Sequence, residues 1–269
     1  CGRLLPESAL VCPGCATLLH RPPGYALVAG EFEHPAMQQV NQPLRQSIIL
    51  NQAAEAISVK VGKPWYESCF NSVQVTDKQY AKLAELAAIA ARRIGFARVP
   101  PVYIEADRGY QSNTYGSEAD AFVNIGMFLP KLLADRELLF ILGHEFGHLL
   151  CRHALWTTVS MFLCGQSRSN LMSEGLLALL SNPLKILESG VESVIMNWML
   201  VADLSADRAA LLVCGDITVA RRTLFLLYLK SRRELDEVDV EAWARQQESQ
   251  DVAMAEVSQI MTSATPYLG

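Results

Sequence analysis

The stretch LGHEFGHLLCRH, residues 142–153, carries three of the five histidines of the chain. His144 and His148 stand four residues apart, which on a helix stacks two imidazoles on one face about one turn from each other. Two imidazoles so placed can ligate one zinc ion. Glu145 lies ~100° around the same helix, off the ligand axis yet close to a metal-activated water. That is the position of a general base, which takes the proton of the water as it attacks a carbonyl. The plain alternative is a pair of histidines satisfied by hydrogen bonds in a core. The neighbours of the motif are apolar, as in a helix buried in a cleft. Gly143 and Gly147 fall inside this helix at ~1 kcal/mol each relative to alanine, and glycine there lets another backbone, or a substrate, pass close by.

A catalytic zinc takes three protein ligands and keeps a fourth position open. The third ligand is sought among acidic residues on another helix. MLVADLSADRAALL, residues 199–212, offers Asp203 and Asp207, again four apart on one face of an apolar segment. One can ligate while the other orients a ligand histidine from behind; the alternative is a pair of surface aspartates. Glu188 and Glu192 also compete for the metal, three to four turns earlier on the same helix. His153, five residues past His148, reads as a helix-end histidine near the terminal carbonyls, pointing away from the ligand face.

These groups need two long helices and something beside them. The helix carrying the motif is expected from Asp135 to about His153, and the second from roughly Glu188 to Cys214. TDKQYAKLAELAAIAARRIG predicts an amphipathic helix capped by Thr76, with Tyr80, Leu83, Ala87, Ala90 and Ile94 as its apolar stripe and Gly95 ending it. SVQV (72–75), PVYIEA (101–106) and AFVNIG (121–126) read as short strands, and two further helices come after Cys214. The expected class is α+β, mostly helical, with a small sheet.

The chain has 269 residues, 51% hydrophobic and 19% charged, enough for one large domain with a sizeable core. A net charge of −5 without a basic run excludes a nucleic-acid partner held through phosphates. Mean hydropathy is high at +0.17, yet the best apolar runs, Ala154 to Cys164 and Leu176 to Leu180, are shorter than the ~18 residues a spanning helix needs. The region from Leu155 to Leu187 is expected to cover the core or to touch a membrane surface. Seven cysteines without a disulfide framework favour a reducing compartment, and the expected localisation is cytoplasmic, membrane-associated as the alternative.

Residues 1–20 differ in character from the remainder of the chain. CPGC is a tight knuckle with Cys12 and Cys15, and Cys1 lies eleven positions before Cys12. The expectation is a zinc-ribbon remnant holding a second, structural zinc through Cys1, Cys12 and Cys15, with a fourth ligand upstream of Cys1 or from His20; the alternative is an unmetallated turn. RPPG, residues 21–24, reads as a linker to one large domain, expected over 21–269.

HEFGH, with DLSADRAA after it, resembles the gluzincin metallopeptidase family that includes the HtpX heat-shock protease and the CAAX prenyl endopeptidase. That family's second motif is Glu-x-x-x-Asp; Ala206-Asp207 matches its end, and Asp203 stands where the ligand glutamate would be. FEHP (32–35) and VDVEAWARQQ (238–247) are similar to flanking pieces of a soluble bacterial branch. The resemblance implies a zincin-like fold and a zinc endopeptidase acting on peptide or protein substrates. His144, His148 and Asp203 would be its metal ligands, Glu145 its base, and Asp207 the group behind a ligand. It also implies that a peptide pairs with an edge strand at Ala121, Phe122, Val123, Asn124 and Ile125 by strand addition. Aspartate at 203 reaches about 1.5 Å less far than glutamate, so its helix must come closer or a water must bridge. A binding or regulatory protein on a weakened peptidase scaffold, and a quality-control protease at a membrane surface, are the alternative functions.

Overall fold

The structure, a computed structural model, describes residues 72–115, 121–154 and 191–248 without a break. It also describes 11–12, 14–19, 25–37 and a few isolated positions. The expectations for Cys1, His20, the linker 21–24, Pro43, the apolar region 155–187 and Glu188 lie outside the described residues.

A short helix α1 (Ala29–Phe32) precedes strand β1 (Val73–Gln74) and helix α2 (Ala81–Ile94). Strands β2 (Val102–Glu105), β3 (Ser112–Tyr115) and β4 (Phe122–Gly126) come next, then α3 (Leu129–Leu132) and α4 (Asp135–Leu150). The chain closes with α5 (Val191–Cys214), α6 (Ile217–Leu229), α7 (Arg232–Asp236) and α8 (Val240–Glu248). The expected α+β class, mostly helical with a small sheet, holds.

Helix α2 starts later than its sequence predicts. Thr76 accepts from the N–H groups of Lys78 and Gln79 in a turn of its own. Tyr80 then takes a left-handed conformation (φ 54°), so the helix begins at Ala81. The buried stripe is Leu83, Leu86, Ala87, Ala90 and Ile94, without the exposed Tyr80. Gly95, at φ 92°, ends it as expected.

The sheet runs β1-β2-β4-β3. Strands β2 and β4 are parallel, with Val102 opposite Val123, and β3 is antiparallel to β4, with Thr114 opposite Val123. Strand β4 is therefore paired on both sides and buried at every position. Burial on both faces is what a central strand shows, here even at the polar Asn124. Among the described residues the edge beside the active helix is β3, whose sequence SNTY is more polar.

Helix α4 is the spine of the molecule. It packs on α5, α2, α6 and β3, and from Glu137 to His148 nearly every residue is buried. Its first turn is closed by Glu137, whose carboxylate accepts from the N–H of Ala134 at 2.7 Å and pairs with Arg232 of α7. The N-terminal knuckle docks on the same body: Leu18 is buried in the main core, and Thr17 bridges to Arg98. No helix among the described residues is long and apolar enough to cross a membrane.

Candidate metal centre

Helix geometry brings His144 and His148 together as their spacing requires. Their Nε2 atoms are 3.1 Å apart, and Asp203 of α5 places Oδ1 3.5 Å from Nε2 of His148. One ligand atom from each of the three lies within 4.8 Å of the others. Donors bound tetrahedrally at ~2.0–2.2 Å are separated from one another by roughly 3.2–3.6 Å, which the separations of His148 Nε2 from His144 Nε2 and from Asp203 Oδ1 approach. Two nitrogens and one carboxylate oxygen are also a donor set that zinc takes.

Asp203 reaches this point because α4 and α5 are in unusually close contact. A Cβ on Gly143 would lie 2.7 Å from Cβ of Val213 and 2.9 Å from Cα of Ala210. One on Gly147 would lie 2.7 Å from Cβ of Ala209 and 3.2 Å from Cα of Ala206. Glycines on one helix face alanines on the other, so the backbones approach without side chains between them. What passes close to the motif is therefore the second helix.

The remaining groups stand behind the donors. Asp207 Oδ1 is 2.7 Å from Nδ1 of His144, which turns Nε2 of that ring toward the centre. Burial opposes charge on this ring, but the hydrogen bond to Asp207 and the negative charges of Asp207, Glu145 and Asp203 prevail. They push its pKa up to about 9. Glu145 is buried, and its Oε2 accepts from the hydroxyl of Thr114 on β3 at 2.6 Å. Sequence reasoning assigned no role to Thr114. Burial along SNTY does not alternate, with Ser112 and Asn113 half-buried and Thr114 and Tyr115 both buried, so no period of two singles out Thr114.

His153 does not point away. The helix ends at Leu150, and Arg152 adopts φ 60°, reversing the chain so that Nδ1 of His153 comes 3.1 Å from Nδ1 of His148. Left-handed backbone at an arginine carries no glycine to announce it, so helical extrapolation put the ring on the wrong side. His153 is buried, and desolvation, then the neighbouring His148 and His144, drives its pKa far down, so it is neutral.

Strand addition at Ala121, Phe122, Val123, Asn124 and Ile125 does not fit the sheet, since β4 already pairs with β2 and β3. Asn124 donates to Glu105 Oε2 at 2.8 Å instead, tying β4 to β2. Tyr115 is fully buried beneath the guanidinium of Arg108. Arg208 donates to the carbonyl of Glu33 at 3.3 Å, and the N–H of His34 to Oγ of Ser205 at 3.0 Å, so FEHP lies along α5. In the knuckle, hydrogen bonds from the side chain and backbone of Thr17, then from Cys12, bring the Cys15 thiol down to about 7, as a zinc ligand prefers. Among the described residues, Cys12 and Cys15 provide two of the three thiols expected there.

The chain matches the description "Peptidase family M48" over residues 77–250, which takes in α4, α5, strands β2 to β4 and the groups around His144 and His148, but not β1, the N-terminal knuckle, Glu33 or His34. It is similar to the plastoglobule-localized metallopeptidase 48, chloroplastic, of Arabidopsis thaliana. The two are 29% identical over 230 residues, 84% of this chain and 64% of that one. The chain thus spans somewhat less than two thirds of that relative's length. No solved structure matches. With a matched region that covers well over half of its length and contains both helices of the candidate metal centre, the chain belongs to peptidase family M48.

Proposed function

We propose that this M48 member is a zinc-dependent endopeptidase in which His144, His148 and Asp203 hold the metal and Glu145 is the general base. The observation that carries this reading is the convergence of two imidazole nitrogens and one carboxylate oxygen from two helices, beside a buried glutamate. Zinc bound there supplies Lewis acidity, lowering the pKa of a water to about 7 and polarising a carbonyl. Glu145 takes up the proton of the attacking water and hands it to the departing amine. Thr114 holds the Glu145 carboxylate in place, and Asp207 holds His144. Strand β3, the edge beside α4, is where an extended peptide would lie. The knuckle at Cys12 and Cys15 is proposed to bind a second, structural zinc.

The test is Glu145→Gln. The variant is expected to retain zinc and to lose casein cleavage by ~10²–10⁴-fold, the usual worth of a general base. Cleavage at the parent rate would remove Glu145 from the reaction, and a parent chain purified without zinc, which also takes up none on addition, would undo the assignment.

A further inference from the structure

We propose that His153 is the positioning residue of the metal centre. It accepts a hydrogen bond from Nδ1 of His148 and thereby holds that ring with Nε2 bare and directed at Asp203. This rests on the zinc-peptidase reading above.

A neutral imidazole carries one proton on one of its two nitrogens. For Nε2 of His148 to face the neighbouring donors with a lone pair, the proton of His148 must sit on Nδ1. That N–H meets Nδ1 of His153 at 3.1 Å, so His153 is the acceptor and carries its own proton on Nε2. The His153 ring has little freedom to do otherwise. It is 1% exposed and lies edge-on between the rings of His148 and Trp198, with centroids 5.3 Å from each. The backbone turn at Arg152 fixes it from below, through the His153 N–H bonded to the carbonyl of His148 at 2.8 Å.

A second observation separates this role from packing. Among the described residues Nε2 of His153 is buried without a hydrogen-bond partner, a cost that an apolar side chain of similar size would avoid. A residue kept only to fill space beside Trp198 has no reason to be histidine. The arrangement also completes a pattern: Asp207 backs His144, and His153 backs His148, so each ligand ring is held from behind by a different group.

The experiment compares His153→Leu with His153→Asn. Leucine keeps apolar volume against Trp198 and removes the acceptor. Asparagine loses volume but sets its amide oxygen on the γ carbon, where Nδ1 of histidine stands. Zinc affinity is measured by competition with a chromophoric chelator, and the fold by thermal melting of the metal-free chain. His153→Leu is expected to bind zinc about 10–100-fold more weakly with its melting midpoint kept or raised, and His153→Asn to bind close to the parent. If leucine does not fold, His153→Ala takes its place in the comparison. Parent-like affinity in the leucine or alanine variant, or equal weakening in a folded asparagine variant, overturns the proposal. His148→Ala separates the two layers. If it keeps zinc at parent affinity, the metal assignment itself fails; if it loses zinc while the His153 variants do not, only the role of His153 falls.

Discussion

The proposed proton acceptor, Glu145, takes a hydrogen bond from the hydroxyl of Thr114. Thr114 donates to Glu145 at 2.6 Å inside the protein, where both residues are buried. A hydrogen bond to a charged group contributes about 1.5–3 kcal/mol, and each ~1.4 kcal/mol is a factor of ten in rate. Thr114→Val is therefore expected to lower kcat/KM about ten- to hundredfold with zinc content unchanged, as steady-state kinetics and metal analysis will show; unaltered kinetics would leave Thr114 a purely structural residue. His144 gives the pH dependence. In the metal-free chain its pKa is raised from 6.5 to about 9. The pair it makes with Asp207 thus stabilises the fold fully below about pH 6.5 and loses this contribution as pH rises through about 9. Because binding must displace that proton, zinc affinity is expected to weaken by up to about tenfold per pH unit below 9. Chelator competition from pH 6 to pH 9 checks the slope, and a flat profile would show that no proton is displaced.

At the level of helices and strands, the seam between α4 and α5 sets how far the carboxylate of Asp203 must reach. Gly147→Ala adds a methyl 2.7 Å from Cβ of Ala209, so the helices must part. Overpacking of this kind costs about 1–3 kcal/mol, and the denaturation midpoint should fall accordingly. Zinc affinity should fall with it, and Asp203→Glu in the same chain should recover part of the affinity through its longer side chain. No recovery would mean that the separation of the helices does not govern the donor. The seam also shows what the sequence could and could not disclose. The spacings of His144, His148, Asp203 and Asp207 obey helical periodicity, so their faces were legible, as were Gly143 and Gly147 as points of close approach. The rest depends on local departures from periodicity. A left-handed Tyr80 delayed α2, a left-handed Arg152 turned His153 inward, and pairing on both sides made β4 central. None of these has a glycine, a proline or a period to mark it.

Across the whole molecule, the N-terminal knuckle is continuous with the peptidase body. Leu18 is 6% exposed and belongs to the same core as α2 and α4. Leu18→Ala is thus expected to cost about 2–5 kcal/mol and to lower the unfolding midpoint of the entire body in one transition; a separate early transition would mark the knuckle as an independent unit. The metal centre is dispersed in a different way. In the proposed donor set the nitrogens come from α4 and the oxygen from α5. An ion held there cross-links two distant points of the polypeptide and closes the intervening stretch into a ring. Doubling the length of such a ring costs only about 0.6 kcal/mol of closure entropy. Varying the length of that stretch beyond His153 is therefore expected to change the closure cost of the ring only slightly.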